Sequence, residues 1–402
     1  MTSPITETGD PTGQTGTERR ALAAATSAHA LHDGYTDVLY LLLPVWQAEF
    51  GLGFAEVGAL RSSYTAVMAL LQLPASLLAE RIGAVVVLVG GTVLAASCFL
   101  LAGASAGLAG LAVALAIGGI GASVQHPIGS SIVSNAYTGA RSRAALGVYN
   151  FTGDLGKVAM PVLVGALLAL MAWRPAMWGL AALGFAVAIL VAVLAPGGVR
   201  SSAGADGAAA GAQQSGPMRA SCGFKLLLAI GAIDNASRSA FLTFLPFLLQ
   251  AKGANLATIG LALSLVLAGG AAGKLACGYI GARLGVLRTV LLTEGLTALG
   301  ILALLPLTLE MALVLLPLIG IALNGTSSVL YGTVPELVAP EARARAFGVF
   351  YTGTIAASAA APPLMGLVGD ALGTPMAMTA IAGGVLLTMP LAVALNPNLP
   401  RT

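Results

Sequence analysis

Three histidines and a small set of acids and bases carry the titratable chemistry inside the apolar stretches of this 402-residue chain. His29, Asp33 and Asp37 fall at i, i+4 and i+8, one stripe of a helix, with His32 a step to its side. His126 precedes Pro127, and Asp154 precedes Lys157 by three residues. Counted at about 1.5 Å per residue along helices, Asp33, His126 and Asp154 reach similar depth, with Asp37 and Lys157 slightly further in. The spacing predicts one cluster. A carboxylate held among histidines in a dry place changes its proton affinity with water access and with neighbouring charge, and imidazole changes charge near neutrality. Reversible proton binding is the chemistry expected of Asp33, Asp37, His126, Asp154, His32 and His29. The same residues also fit a hydrogen-bond network that only positions helices. A metal site from His29, His32 or Asp33, and His126 has suitable ligand types but no fixed signature, so no metal is expected.

A second set suits substrate. Asp234 and Arg238 stand at i and i+4, and Lys274 falls near the depth of Asp234. A guanidinium holds a carboxylate or phosphonate bidentately, which makes Arg238 the preferred contact for a polar or anionic substrate. Lys157, Arg61, Asp234, Lys274, Asn324 and Tyr331 complete the expected contacts, and Tyr35 and Tyr40 can add hydrogen bonds. The competing expectations are local: a closed Asp234–Arg238 pair, an Asp154–Lys157 pair that neutralises itself, and an Arg61 that snorkels outward. Glu294 is expected at an interface or between helices.

These residues must be positioned by membrane helices. The chain is 57% hydrophobic and only 9% charged, too few charges for a soluble protein of this length. Its net charge of +3 is too small, and too scattered, for a nucleic-acid partner. Cys98, Cys222 and Cys277 show no paired spacing, so no disulfide framework is implied. Twelve spans fit a hydrocarbon thickness of about 30 Å: 22–49, 54–79, 84–104, 108–136, 144–171, 175–195, 223–250, 255–281, 287–306, 311–338, 345–369 and 375–395. Pro44, Pro74, Pro127, Pro161, Pro246 and Pro317 lie inside them and predict kinks.

Residues 1–20 read as a disordered cytoplasmic tail without signal-peptide features, and 396–402 as a second tail. The Gly/Ala/Ser/Gln-rich segment 196–222 reads as a linker between six-helix halves, 21–195 and 223–395. The halves repeat: Leu43-Pro44 matches Leu245-Pro246, Ala55-Glu56-Val57-Gly58 matches Ala257-Thr258-Ile259-Gly260, and Arg81-Ile82-Gly83 matches Arg283-Leu284-Gly285, all 202 residues apart. Such parallel repeats belong to transporters whose halves rock about a central site. Thirteen basic residues fall on the side of the termini, against Arg174 and Lys252 on the other, which predicts cytoplasmic termini. The expected fold is all-α, twelve transmembrane helices in two pseudo-symmetric bundles.

The segment Ser76-Leu77-Leu78-Ala79-Glu80-Arg81-Ile82-Gly83 resembles the G-x-L-x-D-R-x-G loop of the major facilitator superfamily, with a second copy from Gly278 to Gly285. Ser76 stands for the first glycine, Glu80 for the aspartate, Ala84-Val85 for a basic pair, and Ala282 for the second acid. Within that superfamily the chain is similar to the fosmidomycin-resistance branch, whose H-x-x-N-D, H-P and G-N-x-G read here as His29-Ala30-Leu31-His32-Asp33, His126-Pro127 and Gly153-Asp154-Leu155-Gly156. Phe50-Gly51-Leu52 and Pro335-Glu336-Leu337 extend the likeness, while Leu115 replaces the arginine that drug exporters often carry before Gly119 and Gly121. The resemblance implies a proton-driven exporter of a small polar or drug-like compound in a bacterial inner membrane. It also implies an inner gate braced by Glu80, Arg81, Gly83, Arg283 and Gly285. Without a G-x-x-x-x-G-K-[ST] loop, neither ATP hydrolysis nor any cofactor is expected. Substrate, protons and lipid are the expected partners of a monomer. Anion import, a metal-dependent membrane enzyme and a non-transporting sensor are the alternatives.

Overall fold

The computed structural model describes residues 15–195 and 221–399. The tail before residue 15, linker residues 196–220 and the end from residue 400 lie outside the described residues. In lipid every backbone N–H and C=O must be satisfied within its own segment, and the described chain is helical throughout, with no strand. The first half comprises α1 (Gly16–Phe50), α2 (Phe54–Ile82), α3 (Ala84–Ala104), α4 (Leu108–Ala136), α5 (Gly139–Leu170) and α6 (Trp173–Leu194). The second comprises α7 (Cys222–Ala251), α8 (Leu256–Gly281), α9 (Arg283–Leu304), α10 (Leu309–Thr333), α11 (Arg343–Leu372) and α12 (Thr374–Leu386, continued by Thr388–Leu395). Ten of these are long and apolar enough to cross a membrane. The other two, α1 and α7, carry the ionisable stripes and are 35 and 30 residues long.

Several boundaries move. The first helix starts at Gly16, inside the segment expected to be disordered, because Thr15 and Glu18 form a capping box. Arg20 then donates to the carbonyls of Val193 and Leu194, tying α1 to the end of α6. Of the expected kinks, Pro127 coincides with a break, between Leu108–Ala122 and Gln125–Ala136. Pro44, Pro74, Pro161, Pro246 and Pro317 sit inside unbroken helices.

At Gly83 and Gly285 the backbone takes φ of 101° and 77°, conformations that a side chain strains. Gly83 joins α2 to α3, and Gly285 makes the matching break in the first turn of α9, both at the end of the bundle that bears the termini.

The halves meet through α2 against α11 and α5 against α8. Their closest approaches gather at the end remote from the termini. A Cβ on Gly58 would lie 2.4 Å from the Pro362 carbonyl, and one on Gly366 would lie 2.4 Å from that of Phe54. The matching pair repeats this, Gly260 at 2.3 Å from the Pro161 carbonyl and Gly165 at 2.8 Å from that of Leu256. Asp370 accepts hydrogen bonds from the amides of Phe54 and Ala55 at 2.6 and 2.9 Å, capping α2 from the other half. At the terminal end Glu80, Arg81 and Ile82 are exposed instead. The far end is closed.

Candidate functional site

A cavity, about 250 Å³, lies between the halves and is lined by Asp37, Tyr40, Asp154 and Lys157 on one side and Asn235, Arg238, Lys274 and Asn324 on the other. Behind its first wall lies Asp33. Lys157 Nζ is 3.1 Å from Asp33 Oδ2, His29 Nε2 is 3.4 Å from the same oxygen, and His126 Nε2 and His32 Nε2 are 3.6 and 3.8 Å from Oδ1. His29 Nδ1 is 2.8 Å from the Tyr149 carbonyl, which only accepts, so Nδ1 carries the proton. Its Nε2 is therefore the nitrogen turned toward Asp33.

Small residues make this approach possible. A Cβ on Gly153 would sit 2.5 Å from His29 Cε1 and 2.6 Å from Asp33 Oδ2, and one on Gly156 would sit 2.0 Å from the Ala30 carbonyl. The two glycines of Gly153-Asp154-Leu155-Gly156 thus let α5 lie against α1 where the stripe faces it.

The cluster continues across the cavity. Lys274 of the second half is 2.6 Å from Asp154 Oδ1, while Lys157 stands 3.8 Å from that oxygen. Asp33, Lys157, Asp154 and Lys274 form a chain of alternating charge whose last contact joins the halves. The donor atoms of His29, Asp33 and His126 lie within 4.8 Å of one another, a spacing open to a metal ion. Lys157 already meets the Asp33 charge, which suits a proton network better than a divalent cation.

Several expected contacts resolve differently. The Asp154–Lys157 pair is the longer of the contacts each residue makes, because each has a nearer partner. Lys274 reaches Asp154 rather than Asp234. The closed Asp234–Arg238 pair is not formed among the described residues: Arg238 donates to Asn235 and to Asn324 Oδ1, the latter at 3.1 Å. Asp234 accepts from Ser327 Oγ at 3.0 Å. Arg61 does not snorkel; it is 5% exposed, bonds Thr65 and the Tyr40 hydroxyl, lies 4.5 Å over the Tyr40 ring, and stays out of the cavity wall. Tyr331 packs with Phe347, Phe350 and Tyr351 nearer the terminal end. Tyr35 donates to the Leu180 carbonyl within the first half.

Glu294 is buried to 1% exposure and faces Asp234 and Thr326. Of the two places expected for it, at an interface or between helices, the fold takes the second and brings Asp234 to it from sixty residues away.

Glu80 and Arg81 are exposed and pair with no other described side chain. The Arg283 guanidinium lies 4.4 Å over the Tyr279 ring.

A family model described as Major Facilitator Superfamily matches residues 26–229 and, again, 227–402. The chain belongs to the Major Facilitator Superfamily. The double match covers both halves, and the protein is a membrane transporter of this superfamily. A bacterial homologue of the human lysosomal transporter Spinster, solved in an inward-facing and occupied conformation, is 16% identical with a TM-score of 0.83, over 96% of this chain and 98% of that one. The unoccupied inward-facing form of that homologue gives 15% and 0.78 over 95% and 97%. A variant of the nucleoside transporter NupG gives 13% and 0.76 over 95% and 100%. At these identities the likeness shows the fold. No protein of curated function matches the chain.

Proposed function

We propose that this superfamily transporter moves a small polar or drug-like compound outward across a bacterial inner membrane in exchange for protons, with both termini in the cytoplasm. The observation that carries the reading is the chain Asp33–Lys157–Asp154–Lys274, which runs from a buried acid among three histidines to the opposite half. A proton on Asp33 releases Lys157, and a proton on Asp154 releases Lys274, so protonation alters the contact between the halves. That is the differential interaction a coupled conformational change requires. The resemblance to fosmidomycin exporters supports the direction, and the excess of basic residues at the terminal end supports the orientation.

Uptake of an anion is a second reading, favoured by the cavity itself. Lys157, Lys274 and Arg238 face Asp37 and Asp154 there, leaving one positive charge in excess.

A substrate library tested with purified protein in liposomes, with and without a pH gradient, separates the two. Asp33→Asn should abolish gradient-driven flux while leaving yield and folding intact. An Asn variant that still moves substrate against its gradient would reject Asp33 as the coupling acid.

A further inference from the structure

The second half holds a pair of acids that the transport chain does not use. Asp234 on α7 and Glu294 on α9 are 3% and 1% exposed, and their carboxyl groups face one another. Two like charges this close in a dry place cannot both persist, so the pair holds a proton between its members. Polar neighbours on every side are hydroxyls or amides. Ser327 donates to Asp234, Thr326 faces Glu294, and Thr293 lies 2.6 Å from Thr326 through their hydroxyls. From α11, Phe350 and Thr354 pack on Gly231 one turn away. The charged group that faces the pair among the described residues is Arg238, one turn along α7. Glu294 Oε1 is buried without a hydrogen-bond partner, which leaves a place for a second proton's bond. Ser327, which donates to Asp234, is itself only partly buried.

We infer that Asp234 and Glu294 form a proton-binding site of the second half, and that its occupancy sets the charge Arg238 presents to the cavity. With one proton the pair carries one negative charge, which balances the guanidinium. A second proton, taken from water onto a carboxylate oxygen, leaves the pair neutral and Arg238 uncompensated. Arg238 already lines the cavity with amide rather than carboxylate partners, so the uncompensated state is the one that holds an anionic group on a substrate. The inference rests on the proton-coupled reading of the cavity, but its test needs no substrate.

Infrared spectra of the purified full-length protein without substrate, compared in light and heavy water at neutral pH, report the carbonyl band of protonated carboxyl groups. Glu294→Gln should remove the pair's share of that band, because Asp234 is then left facing Arg238 and Ser327. Arg238→Gln should enlarge that share about twofold, as a cation that disfavours the second proton is lost. Asp33→Asn should leave it unchanged. A band retained in Glu294→Gln, or lost in Asp33→Asn, overturns the assignment. A band unchanged in Arg238→Gln overturns the link to the guanidinium, and that variant decides the matter even if Glu294→Gln fails to fold. Failure of proton coupling itself would show in the liposome flux and not in these spectra.

Discussion

Asp370→Ala tests the closed far end. The carboxylate accepts from two amides at the first turn of α2, at 2.6 and 2.9 Å, and does so from the opposite half. The contact exists only while this end is closed, so its loss destabilises one conformer and not the other. Removal of a capping side chain costs about 0.5–2 kcal/mol, and since Asp370 is exposed a figure of about 1 kcal/mol is appropriate. At about 1.4 kcal/mol per decade, the population should shift about fivefold toward conformers open at the far end. Asp370→Asn keeps one acceptor and should shift it less. Spin labels at Ala106 and Glu310, on a background with Cys98, Cys222 and Cys277 replaced, report the separation of the two far ends. A distance distribution unchanged in Asp370→Ala, or shifted toward closure, refutes the latch.

Arg238→Lys keeps the charge but cannot hold Asn235, Asn324 and a substrate fork together, and should raise KM about tenfold at a cost of one charge-assisted hydrogen bond; an unchanged KM refutes the grip. Gly153→Ala places a methyl against His29 and Asp33 and should lower thermal stability by about 1–3 kcal/mol, whereas Gly147→Ala, with open space around it, should be tolerated; equal melting temperatures would refute the packing argument. Glu80→Gln should shift the resting population toward conformers open at the terminal end, seen as faster thiol labelling of cysteines placed in the cavity, and rates equal to the parent's would remove Glu80 from the gate.

The stripe His29, Asp33, Asp37 was legible because a helix places i, i+4 and i+8 on one face, and the 202-residue repeat made Gly58 and Gly260 equivalent before either had a partner. Both arise from local periodicity. What the sequence hid is partner choice across the fold. Lys274 lies at the depth of Asp234 when counted along its helix, yet reaches Asp154 because α8 packs on α5. The partner of Glu294 is fixed only where α9 meets α7, and Asp370 gains its role only where α11 meets α2. Arg61 found Tyr40 and Tyr64 in place of the headgroups, an aromatic lining that depth alone cannot foretell.

The glycines at the far end have a consequence for leakage. Gly58 against Pro362 and Gly260 against Pro161 press backbone onto backbone, with no side chain of the glycine at either contact. A file of water molecules needs room and several polar partners at each step, and carbonyls covered by Cα atoms offer neither. The seal is therefore insulation as well as a hinge contact: water in the cavity has no path through to the far side. A larger residue at either glycine would hold the gate ajar and open a leak.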